Sequence, residues 1–335
     1  MLVVQDGGLQ TTVQDYPGRT GYWKVGIPPS GPMDALAFRV GNHLVGNSEG
    51  AAGLEMTATG STLQFEGDAV VALTGAQMVA DLDGQGVPWW ESVLVQKGQV
   101  LRLGPVQGEG FRSYLLIRGG IRVPRYLGSR ATFLFGEFGG YQGRALKAGD
   151  VLEVDDAHNP PSVPVGTRPP ADLIPDYTVP WWIGAVPGPH EAPDYFTDEG
   201  VQHFFSAEWK VYHNSNRQGY RLVGPELEFA RKDGGDGGHH PSNVHDYAYA
   251  IGTVNLSGNL PIVLTVDGPS LGGFVSIATI ATSELWKIGQ AAPGHALRFV
   301  RMTIKQATRR LLRQESQLAA LANPHDFTSN SNQRN

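Results

Sequence analysis

Short apolar runs separated by glycine and proline dominate this chain. Residues 69–73, 92–95, 114–117, 151–154, 261–266 and 297–304 are rich in β-branched and aromatic side chains, and turn-forming residues bound each run. Short strands at such spacing predict a mainly β protein built of barrels or sandwiches. One small pattern recurs as Gly98-Gln99-Val100-Leu101-Arg102-Leu103, Gly149-Asp150-Val151-Leu152-Glu153-Val154 and Gly294-His295-Ala296-Leu297-Arg298-Phe299. Each time a glycine and a polar residue lead into alternating apolar positions, which reads as a turn feeding a strand.

Helical periodicity is confined to two stretches. Residues 33–45 place Ala35, Leu36, Phe38, Val40 and Leu44 on one face, with Ser30 and Asp34 as start signals. Residues 305–322 carry Ala307, Leu311, Leu318 and Leu321 at helical steps, flanked by Arg309, Arg310 and Arg313. Pro160, Pro161, Pro164, Pro169, Pro170 and Pro175 precede Pro180, and such a stretch continues neither a helix nor a central strand. The expected organisation is an N-terminal β subdomain over 1–158, a proline-rich connection over 159–180 and a C-terminal β subdomain over 181–304. A helix over 305–322 and a disordered polar tail over 323–335 follow.

Composition narrows the function classes. With 335 residues, 41% hydrophobic and 17% charged, the chain can fill more than one core. A net charge of −6 with no basic run argues against general nucleic-acid binding. Cysteine is absent, which excludes disulfides and thiol nucleophiles. The first residues, MLVVQDGGLQ, carry neither a basic n-region nor an apolar h-region, and no apolar run reaches the roughly 18 residues of a membrane span. A cytoplasmic chain is expected. Trp89-Trp90 and Trp181-Trp182 read as core or interface aromatics.

Candidate chemistry concentrates in residues 239–274. Two polar clusters, Ser242-Asn243-Val244-His245-Asp246-Tyr247 and Asp267-Gly268-Pro269-Ser270-Leu271-Gly272-Gly273, flank an apolar strand-like run. Neutral hydrogen-bonding groups, one carboxylate–imidazole pair and a glycine turn suit a small, very polar ligand. Gly268-Pro269-Ser270-Leu271-Gly272 matches a nucleophile-elbow pattern, but a turn into another strand follows where that motif needs a helix. His239, His240, His245 and Asp246 match no zinc spacing, so no metal is expected. Asn216, Arg217, Tyr220 and Arg221 form a polar turn whose arginines can fork a carboxylate, or else make surface ion pairs. Asp15, Arg19, Ser30, Met33 and Asp34 surround an N-terminal loop, where turn capping is at least as good a reading as catalysis.

Asn243-Val244-His245-Asp246-Tyr247-Ala248-Tyr249-Ala250-Ile251-Gly252-Thr253, followed by Thr265-Val266-Asp267-Gly268-Pro269-Ser270-Leu271-Gly272-Gly273-Phe274, resembles the carboxyltransferase region of urea carboxylase, specifically its allophanate hydrolase subunit 2-like half. Three further segments agree. They are Asp6-Gly7-Gly8-Leu9-Gln10-Thr11-Thr12-Val13-Gln14-Asp15 before Pro17-Gly18-Arg19, Ser30-Gly31-Pro32-Met33-Asp34 before Val40-Gly41-Asn42, and Ser215-Asn216-Arg217-Gln218-Gly219-Tyr220-Arg221-Leu222. The resemblance covers roughly residues 1–305. It implies two β-barrel subdomains, one cyclophilin-like, with residues 1–60 pairing with the C-terminal unit.

The resemblance also implies transfer of carboxylate from carboxybiotin to a urea nitrogen, giving allophanate. His245 and Asp246 would then be the base or orienting pair. Asn243, Tyr249, Asp267, Ser270, Gly272 and Gly273 would shape the substrate pocket, and Asn216, Arg217, Tyr220 and Arg221 would hold the carboxyl group. No phosphate loop and no Met-Lys-Met biotin-acceptor segment occurs. Biotin is therefore expected on a carrier elsewhere, with ATP and Mg used by a partner domain. The expected partners are urea, an allophanate hydrolase subunit 1-like half, and biotin carboxylase and carrier domains. Two alternatives stay open: a subunit of an ATP-dependent 5-oxoprolinase, and a non-catalytic regulatory protein that binds a carboxylase half or a kinase.

Overall fold

The computed structural model describes residues 1–155 and 163–321. The chain forms two compact units. Met1–Thr20, Ser30–Tyr177 and the described residues from Glu315 make the first; Gly21–Pro29 and Thr178–Gln314 make the second.

The first unit holds two sheets. In one, Ile121–Arg122, Val151–Val154, Leu2–Asp6, Thr62–Phe65, Val100–Val106, Met78–Leu82 and Gln85–Gly86 lie side by side in that order; in the other, Gln10–Gln14, Gly53–Thr57, Arg112–Ile117, Ala69–Gly75 and Ser92–Val95 do. Alternation along the strand Arg112–Ile117 divides its side chains between two cores. Leu115 and Ile117 join Leu2, Leu63, Phe65 and Leu101 in one, while Tyr114 and Leu116 pack with Phe38, Val40 and Leu44 of the helix Ala35–Leu44 in the other. Asp34 caps that helix by accepting from the Ala37 amide at 2.9 Å, and its second oxygen accepts from Tyr177 Oη at 3.1 Å. Asp15 accepts from Ser129 Oγ and the Arg130 amide, and Arg19 donates to the carbonyls of Tyr126 and Ala131. These charged residues of the N-terminal loop hold turns within the first unit.

The second unit is a closed seven-stranded barrel. Its order is Trp181–Pro187, Ser276–Ile280, Thr253–Ser257, Leu260–Leu264, Gly219–Val223, Trp209–Val211 and Ala296–Arg301, and the last strand closes the ring by pairing in parallel with the first. Trp181, Ile183, Trp209, Leu222, Val254, Val263 and Phe299 are all buried in this unit. A separate two-stranded ribbon, Asn243–Ala248 with Leu271–Phe274, carries most of the first polar cluster and the end of the second, whose residues 267–270 lead into it. The protein is thus mainly β, with four α-helices among the described residues. No helix there is long and apolar enough to cross a membrane.

The three repeated glycines each adopt the left-handed conformation, at φ 90° for Gly98, 89° for Gly149 and 87° for Gly294, immediately before the strands Val100–Val106, Val151–Val154 and Ala296–Arg301. The expected pairing of residues 1–60 with the C-terminal unit needs correction. Leu2–Asp6, Gln10–Gln14 and Gly53–Thr57 pair within the first unit, where their side chains fill its core; the second unit takes Gly21–Pro29 from this stretch. The tail expected over 323–335 and part of the proline-rich connection lie outside the described residues.

Candidate functional site

The ribbon of the second unit is built around close backbone approach. Tyr249 is buried, accepts from the Phe274 amide through its hydroxyl at 2.9 Å, and donates its own amide to the Ser270 carbonyl at 2.9 Å. A Cβ on Gly272 would lie 2.7 Å from the Tyr249 hydroxyl, and one on Gly273 would lie 2.7 Å from the Val244 carbonyl oxygen. Only glycine lets the strands close on the tyrosine at this spacing. The short turn Trp23–Val25 is tied to the same region, since Trp23 Nε1 donates to the Gly268 carbonyl at 3.3 Å.

Ribbon and turn enclose an open cleft of about 440 Å³, lined by Trp23, Lys24, Asp246, Tyr247, Ala248, Tyr249, Ser270 and Leu271. Two opposite charges border it. Asp246 and Lys24 are both exposed, and neither makes a hydrogen bond or ion pair among the described residues. Beyond Tyr247 lies a polar group. Its hydroxyl donates to the Phe274 carbonyl at 2.9 Å and also meets Ser276 Oγ, which donates to Asn255 Oδ1 at 2.5 Å. The Ser276 amide donates to His190 Nδ1 at 3.1 Å, and the His190 ring stands edge-on to Tyr195 and Tyr247. Burial pushes the Tyr247 phenol up, against a smaller opposing effect of Ser276, and burial likewise raises Tyr249 against the Phe274 amide. Burial pushes His190 down, with Asp236 opposing. Both phenols and the imidazole are therefore neutral near pH 7 and serve as hydrogen-bonding walls.

The structure redistributes several residues singled out from the sequence. His245 and Asp246 are adjacent on one strand, where its register with the partner strand shifts between Asn243 and Tyr247. They form no ion pair among the described residues, and Asp246 alone of the two lines the cleft. Asn243 donates from Nδ2 to the Gly238 carbonyl at 2.8 Å, so its amide donor holds the preceding loop. Arg217 and Asp267, expected to grip different parts of a ligand, instead pair with each other: Nε donates to Oδ2 at 2.8 Å, with only 6% and 3% of their side chains exposed. Asp267 Oδ1 has no hydrogen-bond partner among the described residues. Arg221 donates to the Asn214 carbonyl at 2.6 Å, Asn216 closes a turn by accepting from the Gln218 amide at 2.8 Å, and Tyr220 is buried in the barrel. Ser270 is followed by the strand Leu271–Phe274, which removes the helix that a nucleophile elbow requires. No group of three or more His, Cys, Asp or Glu among the described residues is placed to hold a metal.

Trp23, Lys24, His190, Asn255 and Ser276 carry no signal in the sequence pattern. The first two sit in a glycine-punctuated loop, and His190 ends Pro187-Gly188-Pro189-His190; a lone aromatic, lysine or histidine at such turns has no periodicity to mark it.

Comparison with known proteins agrees with the fold. Residues 25–301 match the family described as carboxyltransferase domain, subdomain A and B. Urea amidolyase of Saccharomyces cerevisiae is 48% identical over 303 residues, which are 90% of this chain and 16% of that protein. The crystal structure of Kluyveromyces lactis urea carboxylase superposes with a TM-score of 0.89 at 43% identity, covering 98% of this chain and 30% of that one. A 5-oxoprolinase component of Escherichia coli is more distant, at 34% identity over 92% of this chain and 93% of its own length. The chain thus spans under a third of these urea-processing relatives. It belongs to the carboxyltransferase subdomain A and B family and is homologous to the carboxyltransferase part of urea carboxylase and urea amidolyase.

Proposed function

We propose that this chain is the carboxyltransferase component of a biotin-dependent urea carboxylase, moving a carboxylate from carboxybiotin to a urea nitrogen to give allophanate. One observation carries the reading: the small, mostly apolar cleft bordered by Asp246, Tyr249 and Ser270 lies inside the carboxyltransferase match of a chain 48% identical to a urea amidolyase but 34% identical to a 5-oxoprolinase component.

The cleft's chemistry fits a carboxylated cyclic urea. Trp23 and Tyr249 offer aromatic wall, Ser270 a neutral hydrogen-bonding group, and Lys24 a cation. When bound, carboxybiotin supplies an activated carboxyl group. The chain itself must orient urea, whose nitrogen lone pairs are delocalised, and accept a proton as that nitrogen forms its new bond. Transfer would form one C–N bond on urea as the donor's C–N bond is released, and the proton lost by urea would balance the one the donor ring regains. Asp246 is placed to accept a urea N–H bond. Tyr249, Ser270, Gly272 and Gly273 shape the pocket wall, and His245 and Asn243 orient the ribbon from its other positions. Asp267 and Arg217 brace the Gly268 turn, while Asn216, Tyr220 and Arg221 hold the neighbouring strand.

Carboxylation of biotin at the cost of ATP, with Mg, belongs in this scheme to partner biotin carboxylase and carrier domains, and an allophanate hydrolase subunit 1-like half completes the transferase. Mixing this chain with those components tests the scheme. Urea- and bicarbonate-dependent ATP hydrolysis is expected in the complete mixture and absent from the chain alone. ATP-dependent opening of pyroglutamate, with no response to urea, would instead place the chain with the 5-oxoprolinase components, whose length it matches.

A further inference from the structure

We infer that Lys24 holds the carboxylate during transfer and that Asp246 faces it as the N–H acceptor, so that the cleft takes a ligand with an anion at one end and an amide at the other. This deepens the proposed urea carboxylation and rests on it. Resemblance points to the arginine turn for the carboxyl group, but Arg217 is bound to Asp267 in a buried pair and Arg221 is tied to the Asn214 carbonyl. Lys24 lines the cleft, and its ammonium makes no hydrogen bond or ion pair among the described residues. Asp246 lines the same cleft, also without such a bond, and the two charges are not paired with each other.

The position of Lys24 is built rather than accidental. The turn Trp23–Val25 closes on Gly26, at φ 84°, whose amide donates to the Trp23 carbonyl at 2.9 Å, and Trp23 anchors the turn to the Gly268 carbonyl. The ammonium therefore hangs on a flexible stem from a fixed base beside Ser270 and Tyr249. That suits group transfer. A compact cation with three rotatable donors can follow a carboxylate from one nitrogen to another, whereas a buried guanidinium fixed to a carboxylate cannot. Lys24 and Asp246 on one cleft also match the product: allophanate carries a carboxylate at one end and amide N–H groups at the other.

Calorimetric titration of the 335-residue chain with malonamate, a stable isostere of allophanate, and with neutral malonamide tests the assignment. Wild type is expected to bind malonamate about tenfold more tightly, the lower end for a charge-assisted hydrogen bond because the site is open. Lys24→Met should erase that preference with the unfolding midpoint unchanged. Lys24→Arg should restore most of it, and Asp246→Asn should weaken both ligands alike. Equal binding of the two ligands by wild type, or an undiminished preference in Lys24→Met, overturns the assignment. A Lys24-dependent preference in a chain whose complete mixture ignores urea would keep the assignment and remove the urea reading.

Discussion

At the scale of single residues, polar character was legible in the sequence and partnership was not. Arg217 and Asp267 stand fifty positions apart, and no local pattern announces that they meet. Because both are buried, removing one leaves an uncompensated charge. Arg217→Ala is expected to destabilise the protein by about 3–5 kcal/mol, read by chemical unfolding. Replacing both residues with apolar ones should recover most of that loss. Arg221→Ala, which removes one bond to a carbonyl, should cost about 1 kcal/mol. Similar small losses for both single variants would return Arg217 to the ligand. Gly272 and Gly273, read from the sequence as shaping a ligand pocket, make close approaches to Tyr249 and the Val244 carbonyl. Gly272→Ala is expected to cost about 1–3 kcal/mol by overpacking against Tyr249. Tyr249→Phe should not relieve it, because a ring carbon also lies 2.8 Å from the new Cβ. Full rescue by Tyr249→Phe would mean that only the hydroxyl is in the way.

At the scale of elements, the short apolar runs marked strands well. Residues 92–95 and 151–154 coincide with Ser92–Val95 and Val151–Val154. Ends were less visible. The run 297–304 stops as a strand at Arg301, because Thr303 accepts from the Gln306 amide and starts the helix Ile304–Leu321. The run 261–266 stops at Leu264, where the Gly268 amide turns back to the Thr265 carbonyl. Which strands pair was not legible either, and pairing is what brings residues 271–273 of the second polar cluster against the first. Around that ribbon, His190 gives a pH prediction. Its folded pKa is held below the ordinary imidazole value of about 6.5, and its neutral Nδ1 accepts from Ser276. The folded state then binds fewer protons than the unfolded chain. This contribution to stability is complete above about pH 6.5 and is lost as pH falls through the folded value. His190→Asn keeps an acceptor without the titration. Its thermal midpoint should fall less than that of wild type between pH 7.5 and pH 5, and parallel losses in the two proteins would show that His190 does not carry the effect.

At the scale of the whole molecule, composition and turn spacing were enough for a mainly β protein with more than one core. The discontinuous course of the chain was not readable, because nothing in Gly21–Pro29 distinguishes it from the loops on either side, yet this segment groups with the second unit and supplies Trp23 and Lys24 to the cleft. A linear boundary near the proline-rich stretch could not have shown that. The family was legible because its motifs are long and lie where strands and turns constrain them, whereas individual roles depend on side-chain contacts that motifs do not record. The most direct test of the central claim follows the carboxyl carbon. ¹³C-bicarbonate, ATP and urea are supplied to the biotin carboxylase, carrier and subunit 1-like components, with and without this chain, and allophanate is detected by mass spectrometry. Label in allophanate only when the chain is present is the predicted result. Labelled carboxybiotin that accumulates equally in both mixtures, with no allophanate in either, would contradict it.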